Sequence, residues 1–244
     1  MTRIYLDQAL AAGAECELPE AAARHVAQVL RMAAGETLAI FDGRGTECTA
    51  RIVEAGKRRV RVALDHCAVV DRESPLRITL AQCVSRGERM DYTLQKAVEL
   101  GVSAIAPLLS VRSVVRLDEE RWERKLEHWR GVIVAACEQS GRTVLPQLEP
   151  VRKLDSWLTT ERSGLRLVLS PHADTPLRQQ PAPAAGDTII LLVGPEGGLD
   201  DAELTLARRN GFSALRLGPR VLRTETAGVA ALAVLQGLYG DLAG

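Results

Sequence analysis

Two rhythms of apolar and polar positions run along this chain, and the change between them divides it. In the first part the apolar runs are short and stop at turn residues. Thr37–Phe41 predicts a strand, Asp42-Gly43-Arg44-Gly45 a turn, and 47–53 the returning strand. Lys57-Arg58-Arg59 leads into 60–64, where apolar and polar residues alternate as in a half-exposed strand. Ahead of these, Ala22, Val26, Val29 and Leu30 recur at helical spacing, so 19–32 predicts a helix. The first part is a small, mostly β module.

Asp71-Arg72-Glu73-Ser74-Pro75 is charged, polar and ends in proline, which places a boundary there between domains 1–71 and 75–244. Beyond it, Arg77–Cys83, 102–109, Leu165–Leu169, Thr188–Val193 and 214–217 are apolar runs of strand length. Helical patterns at 91–100, 117–139, 200–209 and 227–239 alternate with them. Gly101 closes the first helix as a C-cap, and Asp118-Glu119-Glu120 suits the positive end of the second. This alternation predicts an α/β fold with a mostly parallel sheet covered on both faces. The stretch 227–235 is apolar on every side, and such a helix is buried all round. Its cover is either its own core or a partner subunit; the pattern does not choose.

Two strand–loop units near the carboxyl end carry the candidate chemistry. Leu191-Leu192-Val193-Gly194-Pro195-Glu196-Gly197-Gly198 is followed by Leu217-Gly218-Pro219-Arg220-Val221-Leu222-Arg223-Thr224-Glu225-Thr226-Ala227. Two such loops close in sequence suggest one pocket lined largely by backbone groups, suited to a flat polar ligand such as adenine. Taken alone, the first reads rather as a plain strand-to-helix turn with Asp200 as N-cap. It is neither GxGxxG nor a P-loop, and no GxSxG elbow is present. In the second, Thr224 or Thr226 can cap the last helix. Arg223 and Glu225 are either a surface pair of little worth or functional groups beyond a strand end. Ser85-Arg86-Gly87-Glu88-Arg89 with Lys96, and Glu138-Gln139-Ser140-Gly141-Arg142, put further cations at strand or helix ends. Solvated charge or a helix cap accounts for each as well. The basic strand 57–61 suits either phosphate contact or a charged sheet edge.

Composition narrows the classes. Lys plus Arg and Asp plus Glu are 31 each, so any nucleic-acid surface is a local patch and not a global field. Aromatic residues make up 3%, which argues against a sheet of base-stacking rings. Five scattered cysteines, no CxxC and an odd count suit reduced cytosolic thiols better than a disulfide framework. His25, His66, His128 and His172 show no ligand spacing, so no metal site is expected. Cys137 reads as packing. With no apolar leader and no run of membrane-spanning length, a cytoplasmic protein without membrane partners is expected.

At these motifs the chain resembles the ribosomal RNA small-subunit methyltransferase E family, of the SPOUT class of RNA methyltransferases. The likeness runs through Arg3-Ile4-Tyr5, His25-Val26, Val29 to Met32, Phe41-Asp42-Gly43, Ser85 to Glu88, Gln95 to Val102, Cys137 to Arg142, Gly194 to Gly198 and Leu217 to Ala227. The last two motifs together are the most specific. The resemblance implies a PUA-like β-barrel followed by a SPOUT domain with a C-terminal trefoil knot. It implies a homodimer that uses S-adenosyl-L-methionine to methylate N3 of a uridine in the decoding region of 16S rRNA, free or in the small ribosomal subunit.

The resemblance further implies a cofactor site made of Leu169, Ser170, Pro171, Val193, Gly194, Pro195, Glu196, Gly197, Gly198, Leu217, Gly218, Leu222, Arg223, Thr224 and Ala227. Glu225 is the candidate base, with a nearby water aided by cations as the competing route, and Arg223 the candidate stabiliser of charge on the uracil oxygens. Arg3, Arg86, Lys96, Arg142 and Arg220 are the candidate RNA contacts. Three other readings remain: a non-catalytic RNA-binding assembly factor, a nucleotide-dependent oxidoreductase, and a SPOUT enzyme acting on a ribose 2′-hydroxyl.

Overall fold

Strands with one buried and one exposed face build the first part of the chain. A computed structural model describes residues 1–56, 59–115, 117–160, 163–179, 182–183 and 186–242. They form two compact units, Met1–Glu73 with Cys137–Leu145, and Ser74–Ala136 with Pro146–Gly244. Lys57 and Arg58 of the expected basic strand, and part of the Pro/Ala loop at 180–186, lie outside the described residues. Among the described residues no helix is long and apolar enough to cross a membrane.

The first unit contains β1 (Arg3–Tyr5), β2 (Glu15–Glu17), α1 (Glu20–Arg24), β3 (Thr37–Phe41), β4 (Thr46–Ala55) and β5 (Val60–Val69). The sheet order is β1-β3-β4-β5-β2, with β1 parallel to β3 and the other neighbours antiparallel. Cys48, Ala50 and Ile52 of β4 and Val60, Val62 and Leu64 of β5 turn inward onto Ile4, Leu38, Ile40 and Val26. The predicted helix over 19–32 is shorter and irregular. After α1 the chain widens into a π turn over His25–Val29, with Leu30 N–H bonded to His25 O at 2.9 Å. Arg31 then takes φ 54°, which a β-carbon disfavours, and the helix stops.

One expectation is corrected here. Cys48 and Cys67 form a disulfide, whereas the odd, scattered count suggested free thiols. The two are directly opposed on antiparallel β4 and β5, a pairing that a sequence separation of 19 does not announce. Cys16, Cys83 and Cys137 are free. Burial pushes the Cys137 thiol up to about 11, so it packs and does not react.

The segment Cys137–Leu145 belongs to the first unit because its backbone is stitched to it. Arg3 donates to Cys137 O at 2.6 Å and Arg142 O at 3.0 Å, and pairs with Glu47 at 2.7 Å. Its guanidinium also lies 4.5 Å above the Phe41 ring. Arg142 is buried and pairs with Glu73, and Thr143 Oγ1 donates to Val70 O at 2.6 Å.

The second unit contains β6 (Arg77–Cys83), α2 (Glu88–Glu99), β7 (Ala104–Leu109), α3 (Glu119–Ser140, its last turn reaching into the first unit), β8 (Gln147–Leu148), β9 (Arg152–Lys153), α4 (Leu154–Leu158), β10 (Leu165–Leu169), β11 (Thr188–Val193), α5 (Asp201–Arg209), β12 (Ser213–Leu215) and α6 (Thr224–Tyr239). The sheet order is β12-β10-β11-β6-β7-β8, with β9 also on β7, and its pairs are parallel. One face carries Ala81, Cys83, Ile190 and Leu192 against Trp157 of α4 and Ala207 of α5. On the other, α2 and α6 pack together, and α6 lies over Leu80 and Val193 at Gly228. Gly101 ends α2 at φ 74° as expected, its N–H bonded to Val98 O at 3.0 Å.

The order reverses at β6: the chain adds β7 on one side and later fills the other with β11, β10 and β12. In parallel sheets ligands bind beyond the carboxyl ends of strands at such a reversal. From the β12 edge the chain returns as α6 to β11, a path compatible with the C-terminal knot implied by the resemblance. That helix is not buried all round. Val234 is 43% and Leu238 56% exposed on its outer face.

Candidate active site

Beyond β11 the chain must turn at once into α5, and two constraints fix how. Asp200 Oδ1 accepts the Glu203 N–H at 2.7 Å, and Glu203 Oε2 accepts the Asp200 N–H at 3.0 Å. This reciprocal cap anchors the helix start. Glu203 Oε1 also accepts the Val111 N–H at 2.8 Å, which ties in the turn after β7. Within the loop Gly198 takes φ 69° and its N–H bonds Pro195 O at 2.8 Å. Gly194–Gly198 is therefore both the strand-to-helix turn and a wall of the site.

The second loop, 216–223, runs from β12 to α6. Arg223 stands at the N-cap of α6 with no side-chain cap bond. Thr224 does not cap the helix, contrary to one expectation. Its hydroxyl donates to Gly194 O at 2.6 Å, which joins the two glycine loops directly.

Together with the end of β10 these loops enclose a cavity of about 670 Å³. Leu169, Ser170, Pro171, Val193, Gly194, Pro195, Glu196, Gly197, Gly198, Leu217, Leu222, Arg223, Thr224 and Ala227 line it, as do Arg220 and Glu225. Of the expected cofactor residues only Gly218 stands outside the lining; it makes the turn at φ 70°.

The cavity also holds residues that the sequence reading had not placed there: Arg89, Arg112, His172 and Arg216 among them. Arg89, in the first turn of α2, has a sequence signal only as a cation after β6. It lies between two carboxylates, with Nη1 3.1 Å from Glu196 Oε1 and Nε 3.8 Å from Glu225 Oε1. Arg112 Nη1 donates to Gly197 O at 2.8 Å across 85 positions of sequence, a contact with no local signal.

Burial opposes ionisation of Glu196. Hydrogen bonds from the Arg86 N–H, from its own N–H and from Arg89 outweigh it and hold the carboxyl below its usual range. Glu225 is different: its Oε2 is buried and, among the described residues, has no hydrogen-bond partner. A carboxylate oxygen left unbonded beside a cavity is costly without a ligand. The arrangement offers backbone groups for a flat ligand, a fixed carboxylate with a free acceptor, and cations at the rim.

The expected RNA contacts divide. Arg86 and Arg220 are exposed at the loops of the site. Lys96 Nζ is held by Glu99 at 2.8 Å. Arg3 and Arg142 are committed to the carbonyl and carboxylate partners described above and present no free guanidinium edge on an open face. Their partners are distant in sequence, so these pairs close only through the fold.

Comparison with known proteins identifies the family of both domains. Residues 72–236 match the RNA methyltransferase domain family, and 18–65 match the RNA methyltransferase PUA domain. The chain is 32% identical to the ribosomal RNA small subunit methyltransferase E of Buchnera aphidicola subsp. Schizaphis graminum, covering 98% of this chain and 97% of that one. The Bacillus subtilis protein of the same name is 28% identical over 86% of this chain and 85% of its own. A Legionella pneumophila methyltransferase solved with the cofactor SAM superposes at TM-score 0.96 with 43% identity, covering 99% of each chain. The Neisseria gonorrhoeae ribosomal RNA small subunit methyltransferase E bound to S-adenosyl methionine gives 0.92 and 41%, again over 99% of each. A PUA domain followed by a parallel α/β methyltransferase domain is thus the shared design, and the chain belongs to the ribosomal RNA small subunit methyltransferase E family.

Proposed function

We propose that this protein transfers a methyl group from S-adenosylmethionine to N3 of a uridine in the decoding region of 16S rRNA. The observation that carries the reading is the single cavity built by both glycine loops, with Arg223 and Glu225 on its wall. Its volume of about 670 Å³ suits a nucleoside-sized ligand. The Legionella pneumophila and Neisseria gonorrhoeae relatives, 43% and 41% identical, were solved with S-adenosylmethionine bound. Val193 to Gly198, Leu217 and Leu222 would hold it, largely through backbone groups.

The bound donor supplies an activated methyl electrophile. The chain's own residues then do three things. The loops hold the acceptor base in line, which converts an encounter into a unimolecular step. Glu225 accepts the N3 proton through Oε2, the oxygen that has no other partner. Arg223 stabilises the charge that develops on O2 or O4. The N3 edge is blocked in a paired base, so the uridine enters unpaired or extruded. Arg86 and Arg220 contact phosphates near the site. An rRNA substrate fits work in the cytoplasm.

The exposed Val234 and Leu238 on α6 favour a homodimer formed on that face. Light scattering at micromolar concentration should give twice the chain mass; a monomer mass would reject it. Substrate and position are tested by incubating small subunits that lack the modification with isotope-labelled donor and digesting the rRNA. Mass spectrometry should find the label in 3-methyluridine. Label in a 2′-O-methyl nucleoside would transfer the reading to ribose chemistry, and no label at all would support a non-catalytic factor.

A further inference from the structure

One polar side chain is out of place in the core of the second unit. β6 reads Arg-Ile-Thr-Leu-Ala-Gln-Cys, and its Gln82 is fully buried at the carboxyl end of the strand where the sheet order reverses. Burying an amide there costs free energy that an apolar residue would avoid. Its bonds show what it does instead. Gln82 Nε2 donates to Cys83 O at 2.9 Å and to Thr224 Oγ1 at 3.0 Å. Thr224 Oγ1 in turn donates to Gly194 O at 2.6 Å.

The direction of this chain follows from proton counting. A hydroxyl has one proton. Because the amide donates to Oγ1, the threonine proton is free to point at Gly194 O. Three elements meet in two bonds: the end of β6, the first glycine loop, and the start of α6 after the second loop. α6 approaches closely enough that a β-carbon on Gly228 would lie 3.4 Å from Gln82 Oε1.

We propose that Gln82 is a positioning residue that sets the gap between the two glycine loops, and thereby the affinity for the methyl donor, by orienting the Thr224 hydroxyl onto Gly194 O. It touches neither substrate nor donor. This inference rests on the reading of the cavity as the donor site. Without the amide donor the hydroxyl can turn away from Gly194, and the loops lose their common reference.

The test uses Gln82→Met and Thr224→Val, each close to the native side chain in size, and their combination. Donor dissociation constants are read by calorimetry, and KM and kcat by methyl transfer to small subunits. Each single variant should raise the dissociation constant about tenfold. The double variant should be no worse than the weaker-binding single, because both changes break one chain of bonds. For Gln82→Met the loss should sit in the KM for the donor, with kcat within about threefold of the parent. A general loss of structure would lower the kcat and the melting temperature together. If the double variant does not fold, the KM-to-kcat split of the singles decides. Donor affinities within twofold of the parent, or losses that simply add, would overturn the proposal. A cavity-filling Leu217→Trp separates the two levels. If it abolishes donor binding while Gln82→Met binds normally, only the positioning role fails. If it leaves binding intact, the donor site itself has been misassigned.

Discussion

Replacing Glu225 by Gln should slow methyl transfer by roughly 10²- to 10⁴-fold while the methyl donor still binds. Glu225 sits in the first turn of α6 with its carboxylate split between two environments. One oxygen lies 3.8 Å from Arg89 Nε, and the other is buried with nothing to accept from. Gln keeps the shape but cannot take a proton from N3. Arg223→Ala removes the cation assigned to the uracil oxygens and should cost on the order of 10²- to 10³-fold. Both variants should fold: Arg223→Ala should keep the parent melting temperature, and Glu225→Gln should match or exceed it, because it removes a buried unbonded carboxylate oxygen. Isotope transfer under single-turnover conditions separates chemistry from binding. Turnover within threefold of the parent in either variant would remove that residue from the mechanism.

The second large effect is expected from Gly194→Val. A β-carbon there would meet Leu199 N at 3.0 Å, Leu199 Cγ at 3.1 Å and Gly198 C at 3.2 Å. Two of these are backbone atoms held by the capped start of α5, so they cannot retreat as a flexible side chain would. Such overpacking costs about 1–3 kcal/mol, and here it is concentrated on the loop that carries the cavity wall. The same carbonyl accepts the Thr224 hydroxyl, so a shift at Gly194 also parts the two loops. Donor affinity should fall by about ten- to a hundred-fold by calorimetry, with far-UV circular dichroism unchanged. A parent-like affinity would mean that the loop does not touch the donor.

Much of the second unit was legible because its strands are buried on both faces. Arg77–Cys83, Leu165–Leu169 and Thr188–Val193 are predominantly apolar runs of strand length, and each is a strand of those bounds. The cavity was legible for a related reason: both loops follow strand ends and are rich in glycine, and in a parallel sheet such loops converge. What stayed hidden depends on contacts between distant positions. Gln82 is an unremarked polar residue in an apolar run until Thr224, 142 positions away, is brought against it. Arg112 finds Gly197 O, and Arg89 its two carboxylates, only after the strands are ordered.

Charge misled in the opposite direction. The resemblance offers Arg3 and Arg142 as RNA contacts, yet the fold commits them to Glu47, Glu73 and backbone carbonyls. The cover of the last helix was not legible either: 227–235 is apolar on every side, and in the single chain Val234 and Leu238 are exposed. Cys48 and Cys67 joined for the same reason that Gln82 stayed hidden: register across a hairpin, and not spacing, brought them together.

A crystal structure of the protein grown with S-adenosylmethionine would test the central claim most directly. The account places the donor between Gly194–Gly198 and 217–227, with its adenine against backbone groups of Leu217 and Leu222 and its methyl group facing Glu225 and Arg223. A donor seated elsewhere, or one in this cavity with its methyl group turned away from Glu225, would contradict it.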